Sequence, residues 1–504
     1  MQCNHSIAII ALLSGACLDK PASEPPVAST SSMLTGAPGP RGCFDPADYG
    51  AVPDDGLDDR VAAQRAIDDA AVNGGDVCFG PGTWDLTRSP AGTYNRFAAL
   101  SWHAPHINLR GAGVFATTLR VSGDQGVATT YVISLDPGSS GSSISDFTID
   151  TSGMTNTDEQ THAIAIGTGV CSTTNGTCSM PVADTTVQRV RFNHPVRPGE
   201  RKGDCVHLLG NVDSTPAVNS KLLDLDFRAC ARSGVGVQRG VQGLIVSRCY
   251  FDGDNTGATM FDGEATGGGW DQGLVVSDNM FVRTVTGGDT YALTLTSQTH
   301  YSIAHNVFLG RGLFAYRTTD GVIEGNVVDA VDALAGTGVI EFGNRTERIT
   351  VANNTVHRRG LGGSMIKLQP HSGGLPGGVA ITGNALLNDT DGAAIFLHSP
   401  VDLTVSGNQL IGNGGANSMA VYAAAISRQV ENLSITGNTI RGMPFAGVRL
   451  GGSASFGFAA TVVGLNTSRA TGPGLRCENT ATSLPGAIVR GLNNWSTPES
   501  CAVN

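Results

Sequence analysis

Charged and aromatic side chains recur in short apolar segments through the second half of the chain. The segments include TMFDGE, FAYRTT, VIEFGN, MIKLQP, AIFLHS, VYAAAI and GVRLGG. If the large apolar residues of each segment point inward, the alternate residues point outward, as in a β-strand. Four outward residues suit acid–base chemistry and five suit hydrogen bonding or stacking: Asp262, Arg317, Glu341 and Lys367, and Phe396, His398, Gln369, Tyr422 and Arg449.

Stacked strands would arrange these side chains in two columns. The first is predicted to contain His207, Gly236, Met260, Thr294, Ala315, Glu341, Lys367, Phe396, Tyr422 and Arg449. The second is predicted to contain Leu209, Gln238, Asp262, Thr296, Arg317, Gly343, Gln369, His398, Ala424 and Gly451. Neighbours in a column would lie about 4.8 Å apart, and alternate residues of one strand about 6.6 Å apart. We therefore expect Arg317, Glu341 and Lys367 on successive strands.

These three residues fit β-elimination in a uronate-containing glycan. The reaction needs a base that takes the proton next to the uronate carboxylate, and a cation that neutralises this carboxylate. Lys367 would be the base, with its pKa lowered by a nearby Arg, and Arg317 would clamp the carboxylate. Phe396 and Tyr422 would offer flat surfaces for sugar rings. The alternative is that this face is polar only because it meets water.

Glycoside hydrolysis is a second candidate chemistry. It needs two carboxyl groups about 5 to 5.5 Å apart for retention, or about 6.5 to 9.5 Å apart for inversion. Asp262 and Glu341 are expected three coils apart, roughly 14 Å, which is too far. Asp262 and Glu264 would reach the inverting range if both lie in one strand.

Two kinds of metal site can be considered from the sequence. The acidic run Asp252, Asp254, Asp262, Glu264 and Asp271 is a candidate for calcium, which prefers carboxylate oxygens. The run lacks a complete calcium-loop signature, so a solvated acidic loop is the alternative. No CxxC or Cys/His spacing supports a zinc site.

A repeat between Leu244 and Ala470 predicts the elements that hold these side chains. Eight segments share an apolar pair, two small or polar residues, an Asn and another apolar residue; their Asn residues are Asn279, Asn306, Asn326, Asn354, Asn384, Asn408, Asn438 and Asn466. Their spacing of 20 to 30 residues indicates one coil of a solenoid per repeat. Apolar residues alternate with Ser, Thr and Gly, so each coil is expected to hold short strands that stack as a parallel β-helix.

The repeated Asn predicts an internal ladder. At an inward bend, each amide can hydrogen-bond the Asn of the coils above and below, which satisfies polar groups that would otherwise be buried unpaired. In earlier coils the same position holds Cys249, Leu225 and Val190. The ladder is therefore expected to be polar only in the later coils.

Both ends of the solenoid are expected to be capped. Asp58 or Asp59 can begin a helix that ends at Asn73 and whose apolar face carries Ala62, Ala63, Ala66, Ile67 and Ala70. This helix would cover the unpaired edge of the first coil. The repeat fades from Thr471 to Asn504, which predicts a C-terminal cap.

The phrase DYGAVPDDGLDD, the alanine-rich helix and PGTWDL resemble the opening of the pectate lyase superfamily, in its branch of rhamnogalacturonases and epimerase-like members. Pro53 and Asp54 stand where that family usually has Gly-Asp. The resemblance implies an all-β, right-handed parallel β-helix over residues 42–504, with an N-terminal cap over 42–86, and action on an extracellular polysaccharide. The matching residues belong to the scaffold, so a non-catalytic glycan-binding or adhesion protein is the alternative.

Charge and the first residues bear on partners and location. The net charge of −11 argues against nucleic acid and an anionic membrane surface as partners. Residues 1–17, with an apolar run before Cys17, resemble a lipoprotein signal peptide, and residues 18–41 predict a flexible tether. We expect an exported protein, extracellular, periplasmic or at the cell surface, with a lipid anchor at Cys17 as its one means of holding a membrane. The sequence leaves the oligomeric state open.

Eleven cysteines fit an oxidising compartment. Neighbouring positions suggest the pairs Cys43 with Cys78, Cys171 with Cys178, Cys205 with Cys230, and Cys477 with Cys501. Cys249 is then left unpaired, which agrees with its inward position in the repeat.

Overall fold

Short parallel strands wind the chain into a β-helix. The computed structural model describes residues 43–89, 97–125, 130–155, 161–167, 181–194, 203–210, 217–265, 270–284, 291–331, 335–360, 362–370, 374, 376–413, 415–453, 455–469, 472–478, 488–497, 499 and 501. Within these ranges each strand pairs in parallel with a strand about one coil away, for example Glu347–Ala352 with Gly377–Thr382. The predicted solenoid is confirmed. The predicted signal peptide, tether and Cys17 lie outside the described residues.

One face of the solenoid is a 14-stranded sheet, here called the second sheet. Its strands, in order, are Phe97–Trp102, Thr130–Leu135, Thr161–Gly167, Val206–Leu209, Val235–Gln238, Phe261–Glu264, Tyr291–Thr296, Gly312–Tyr316, Gly338–Phe342, Ser364–Leu368, Ala393–His398, Met419–Ala424, Ala446–Gly451 and Leu475–Glu478. Successive strands come from successive coils, so its outward side chains stack in columns along the solenoid.

The remaining strands form the first sheet, which wraps the other sides of each coil. They are Cys43–Phe44, Gly75–Phe79, Gly82–Leu86, Ile107–Gly111, Thr117–Val121, Ser143–Asp150, Val182–Ala183, Thr186–His194, Ala217–Val218, Lys221–Leu223, Asp226–Cys230, Val241–Gln242, Ile245–Ser247, Tyr250–Asp252, Asp271–Gln272, Val275–Ser277, Met280–Val282, Gln298–Ala304, Val307–Leu309, Thr319–Glu324, Val327–Ala330, Glu347–Ala352, Thr355–Arg358, Gly377–Thr382, Ala385–Asn388, Val401–Ser406, Gln409–Gly412, Glu431–Thr436, Thr439–Arg441, Thr461–Gly464, Thr467–Arg469, Ile488–Arg490 and Asn494–Trp495.

The Asn ladder is present and buried. In each rung, the backbone N–H and side-chain amide of one Asn both donate to the Oδ1 of the next, as from Asn354 to Asn384 at 3.0 Å in both cases. The ladder starts where the backbone N–H of Cys249 donates to Asn279, at 2.9 Å. The predicted change from Cys249 to polar rungs is therefore confirmed.

Two residues after the ladder position, aromatic rings stack inside the earlier coils. Phe192, Phe227, Phe251, Phe281 and Phe308 follow one another with ring centroids 4.5–5.0 Å apart. All five rings are buried in one continuous core. The interior thus combines an apolar column with a polar one.

The N-terminal helix covers the end of this core as predicted. It spans Arg60–Asn73, and the five apolar residues predicted for its inner face are buried. Asp59 is the N-cap residue, but the side chain that accepts from the first helical N–H is that of Asp58, whose Oδ1 lies 3.1 Å from the N–H of Arg60. Two short 3-10 helices, Pro46–Tyr49 and Gly253–Asn255, complete the helical elements of the described chain.

The predicted end of the repeat is one coil too early. Ile488–Arg490 pairs with Thr461–Gly464, and Asn494–Trp495 pairs with Thr467–Arg469. Asn493 extends the ladder by accepting from the N–H of Asn466 at 3.0 Å. The segment IVRGLNNW at Ile488 repeats the pattern of TVVGLNTS at Thr461, so this coil was readable from the sequence.

Three of the four predicted disulfides are present: Cys43–Cys78, Cys205–Cys230 and Cys477–Cys501. Cys171 and Cys178 lie outside the described residues. Cys249 is free and buried, and burial raises the pKa of its thiol to about 12. Among the described helices, none is long and apolar enough to cross a membrane.

The ladder yields a stability prediction. The Asn354 side chain donates to the carbonyl of Ile323 and accepts twice from Asn326, all at 2.9–3.0 Å. Asn354→Ala would remove these three buried hydrogen bonds, at about 1 kcal/mol each, while Asn326 Nδ2 keeps its bonds to the carbonyls of Ile303 and Glu324. We expect the free energy of unfolding to fall by about 3 kcal/mol or more in urea titrations followed by tryptophan fluorescence. The exposed Asn413→Ala should change it by less than about 0.5 kcal/mol; similar losses for both variants would contradict a structural ladder.

Candidate functional site

The outward column of the second sheet differs from the predicted one in two strands. Strand pairing aligns His207, Gly236, Asp262, Thr294, Phe314, Glu341, Lys367, Phe396, Tyr422 and Arg449 in one column. Met260 and Ala315, predicted for this column, are fully buried. In the strand Phe261–Glu264 the predicted alternation is right, and Asp262 stands in the first column instead of the second. In the strand Gly312–Tyr316 the shift is one residue, which exchanges the two faces and turns Leu313 and Ala315 inward.

Arg317 does not lie in either column. It follows the strand Gly312–Tyr316 at an exposed corner, with a left-handed backbone (φ 54°). The second-column position of this coil is taken by Tyr316, which pairs with Thr296. The predicted row of Arg317, Glu341 and Lys367 on successive strands is therefore wrong in its first member.

Asp262 and Glu264 lie on the outer face of one strand, Phe261–Glu264, with buried residues alternating between them. Thr294 Oγ1 donates to Asp262 Oδ1 at 2.8 Å. Burial raises the pKa of Asp262 to about 6, and the neighbouring charge of Glu264 adds to this effect. One carboxyl group of the pair therefore holds its proton in mildly acidic solution.

Aromatic rings lie beyond this carboxylate pair along the solenoid. Phe314 follows Asp262 by two coils in the first column, and Tyr291 stacks on Phe314 with ring centroids 5.2 Å apart. Tyr316 occupies the adjacent column, 6.2 Å from Phe314, and its hydroxyl accepts from Asn344 Nδ2 at 3.3 Å. These rings form a flat surface of the kind that sugar rings contact.

Glu341 and Lys367 are neighbours, as predicted, but both side chains are engaged. Glu341 Oε2 accepts from the Tyr291 hydroxyl and from the Gly338 N–H, each at 2.6 Å. Lys367 Nζ donates to the carbonyl of Gly336 at 2.5 Å and lies 3.5 Å from Glu341 Oε1. With Glu341 1% and Lys367 9% exposed, this pair braces the loops beside the sheet.

A second cation lies behind this pair. Arg358 is fully buried and donates to the carbonyls of Thr337 and Ser364, at 2.7 and 3.1 Å. Burial lowers its pKa to about 10, while the charge of Glu341 acts in the opposite direction. Lys367 and Arg358 thus bring two cations to this part of the second sheet.

The five residues predicted to bind substrate all lie near the C-terminal end of the second sheet. The Phe396 and Tyr422 rings are 5.4 Å apart, and the Arg449 guanidinium lies 4.4 Å from the centre of the Tyr422 ring while it pairs with Glu478. His398 Nε2 contacts Ser427 Oγ at 2.9 Å, and burial, with the charge of Lys367, lowers its pKa. Gln369 follows the strand Ser364–Leu368.

Sequence reasoning missed a buried polar cluster on the N-terminal side of Asp262 in the second sheet. Asp204 is fully buried; its Oδ1 accepts from Arg232 Nε at 2.8 Å and its Oδ2 from Arg232 Nη2 at 2.6 Å. His207 Nδ1 lies 2.8 Å from Asp204 Oδ2, and the His162 ring stacks on His207 with centroids 4.1 Å apart. Burial would raise the pKa of Asp204, but the hydrogen bonds from Arg232 and His207 hold it below its ordinary value. Only the short spacing between Asp204 and His207 was visible in the sequence.

His162, Asp204 and His207 bring potential ligand atoms within 4.8 Å of one another, but they do not suit a metal ion. The Arg232 guanidinium already occupies both Asp204 oxygens, and its charge would repel a cation. His162 Nδ1 accepts from the N–H of Asp204 at 2.9 Å, so its lone pair is used.

The acidic run proposed for calcium is dispersed. Asp252 caps the 3-10 helix Gly253–Asn255, Asp254 accepts from Thr284, and Asp271 is buried beside Gln298. Asp262 and Glu264 lie on the second sheet. Calcium binding stays a prediction without a common site among these described residues.

Comparison with known proteins supports the fold. Residues 291–467 match the family model described as right handed beta helix region. The Azotobacter vinelandii mannuronan C-5 epimerase AlgE6 A-module shares 16% identity over 89% of this chain and 99% of its own, with a TM-score of 0.38. The Streptococcus pneumoniae surface adhesin PfbA shares 16% identity over 82% of this chain and 92% of its own, with a TM-score of 0.48. The Streptomyces thermodiastaticus GH87 α-1,3-glucanase catalytic unit shares 15% identity over 93% of this chain and 72% of its own, with a TM-score of 0.40.

These three proteins differ from one another in what they do. No curated protein matches the sequence. The right-handed parallel β-helix predicted from the chain's opening is consistent with the family match. The activity has to be argued from the outer face itself.

The raised pKa of Asp262 predicts a pH-dependent stability. Since the folded-state value of about 6 exceeds the ordinary 3.8, its contribution is present below pH about 4 and is lost as pH rises through about 6. Asp262→Asn removes the buried charge, so we expect the variant to exceed the wild type in unfolding free energy at pH 8 by at most about 3 kcal/mol, with no difference at pH 4. Asp278→Asn, on an exposed corner, is the control; equal destabilisation of Asp262→Asn at both pH values would contradict the assignment.

Proposed function

We propose that this chain is an exported enzyme that cleaves an extracellular polysaccharide on the outer face of the second sheet, by hydrolysis with Asp262 as the general acid. The observation that carries the proposal is the pair of carboxyl groups, Asp262 and Glu264, on one face of one strand, with the pKa of Asp262 raised to about 6. Unequal protonation of two nearby carboxyl groups is the property that glycoside hydrolysis requires.

The geometry of the pair favours inversion. Alternate residues of a strand are about 6.6 Å apart, which falls within the separation of about 6.5 to 9.5 Å used by inverting enzymes. Asp262 would protonate the leaving glycosidic oxygen. Glu264 would remove a proton from the water that attacks the opposite side of the sugar ring. The sugar leaves with its anomeric configuration inverted.

The face beyond the pair is long enough for a polymer. From Asp262 to Tyr422 the column rises six coils, or roughly 29 Å. Phe314 and Tyr316 lie near the carboxylates, and Phe396 and Tyr422 lie near the far end. Two aromatic surfaces along one column support binding of a chain of sugars rather than a single unit.

The predicted β-elimination of a uronate-containing glycan is the second candidate. Its support is the presence of two cations, Lys367 and Arg358, at this part of the sheet, since positive charge would favour a carboxylated sugar. Lys367 is less suited to act as the base than predicted, because its ammonium donates to Gly336 and faces Glu341. A non-catalytic glycan-binding protein would use the same aromatic surfaces and is tested by the same experiment.

Location follows from the cysteines. The three disulfides indicate an oxidising compartment, which supports export. Attachment to a membrane through Cys17 stays a prediction.

The proposal is tested on alginate, polygalacturonate and α-1,3-glucan, with and without calcium. We expect new reducing ends, inverted configuration by NMR, and a rate that falls as pH rises through about 6. Asp262→Asn and Glu264→Gln should each lower kcat at least about 100-fold, whereas Asp278→Asn should keep the wild-type rate.

The other candidates give different results in the same assays. Ultraviolet-absorbing unsaturated products that are lost in Lys367→Met would establish β-elimination instead. Binding without any product would establish a non-catalytic protein. Hydrolysis that persists unchanged in Asp262→Asn would refute the assigned acid.

A further inference from the structure

The buried cluster on the N-terminal side of Asp262 consists of His162, Asp204, His207 and Arg232. It is not needed to complete the core. His207 lies in the outward column, where the matching positions of the preceding three strands carry the small residues Ala165, Ser134 and Ser101. Burying an ion pair costs several kcal/mol of desolvation per ion, and apolar substitutes of similar volume are often as stable. The side chains of Asp204 and His207 are therefore candidates for a function in the groove.

Hydrogen bonds fix the proton positions of the His207 ring. Asp204 is ionised and can only accept, so His207 Nδ1 is the donor of this hydrogen bond and carries a proton; in the ring with one proton, Nε2 presents a lone pair. Among the described residues, no hydrogen bond to His207 Nε2 is found. The ring is held flat against His162, which itself stacks on Tyr131 at 5.5 Å.

Arg232 holds the Asp204 carboxylate in place through two hydrogen bonds. An imidazole ring that is oriented by such a carboxylate and whose second nitrogen is unoccupied is suited to bind a hydroxyl group.

Gly236 shows how closely this cluster is built. A Cβ at Gly236 would lie 2.3 Å from Asp204 Oδ2 and 3.2 Å from His207 Nδ1. The carboxylate thus fills the space of a side chain in the coil between His207 and Asp262. The two flanking residues are two coils apart, or about 9.6 Å between their Cα atoms.

We infer that His207 binds a sugar hydroxyl of the polysaccharide through Nε2, one sugar away from the bond cleaved at Asp262, and that Asp204 positions its ring. This inference rests on the proposed function, which it extends by a binding subsite on the N-terminal side of the carboxylate pair. The ligand is a hydroxyl-bearing sugar unit, and its recognition needs no charge on the sugar.

The proton positions are measured without a ligand. In protein labelled with ¹⁵N-histidine, long-range ¹H–¹⁵N spectra at pH 7.5 should show His207 protonated only at Nδ1 and His162 only at Nε2, with His207 identified by its loss in His207→Asn. A His207 ring protonated at Nε2 would overturn the inference.

The binding role is measured with matched substitutions in the Asp262→Asn background, which keeps the sugar intact. His207→Asn retains an N–H donor for Asp204 but has no atom at the place of Nε2. We expect its melting temperature to be unchanged and its affinity to fall at least about 10-fold, by calorimetry with hexasaccharides of mannuronate, galacturonate and α-1,3-linked glucose. His305→Asn, at an exposed corner of the first sheet, should bind as its parent does.

Each remaining outcome separates this inference from the proposed function. If His207→Asn binds as tightly as its parent, the subsite is wrong and the hydrolase proposal stands. If none of the three hexasaccharides binds the parent and none of the polymers is cleaved by wild type, both fail. If His207→Asn unfolds, His207→Gln, whose amide lies near the place of Nε2, should bind more tightly than His207→Ala; equal loss in the two would mean that His207 is only structural.

Discussion

The hydrogen bonding between consecutive coils is the constraint on which the rest of the molecule depends. Each coil adds strands at a fixed spacing, and the buried asparagines hold their bends in register from Asn279 to Asn493. Each amide satisfies the coil above and the coil below, so the inside of the solenoid has no polar group left over at these bends. A regular interior makes the outside regular as well.

That regularity gives the second sheet its chemistry. Residues separated by 20 to 30 positions in the chain become neighbours in a column, so a short strand from each coil contributes one or two side chains to a long groove. The arrangement is rigid, because each outward side chain stands on a strand whose other face is packed in the core. Rigid strands hold reacting groups more accurately than loops do.

The polar groups on this face fall into two kinds that charge alone does not distinguish. Glu341 and Lys367 face each other and, like Arg358, bind nearby backbone, so the main contribution of these residues is to hold loops against the sheet. Asp262 is different, because burial disfavours its charge without giving it a cationic partner in direct contact. A desolvation cost that no charged partner offsets is typical of groups that take part in a reaction rather than in stabilising the fold. His207 stands between the two kinds, with one nitrogen engaged and the other directed to the ligand that we propose.

The sequence by itself determined the solenoid, the ladder, the N-terminal helix, three disulfides and the unpaired Cys249, because each of these follows from local periodicity or from spacing of about one coil. It also placed Glu341 and Lys367 side by side. The tertiary structure decided the outward register at Leu313 and Phe314, two adjacent apolar residues that fit either face, of which packing selects one. It alone brought Asp204, His162 and Arg232 together, since they come from three coils with no common spacing. Burial likewise set the pKa of Asp262, because desolvation depends on neighbours that only the folded chain supplies.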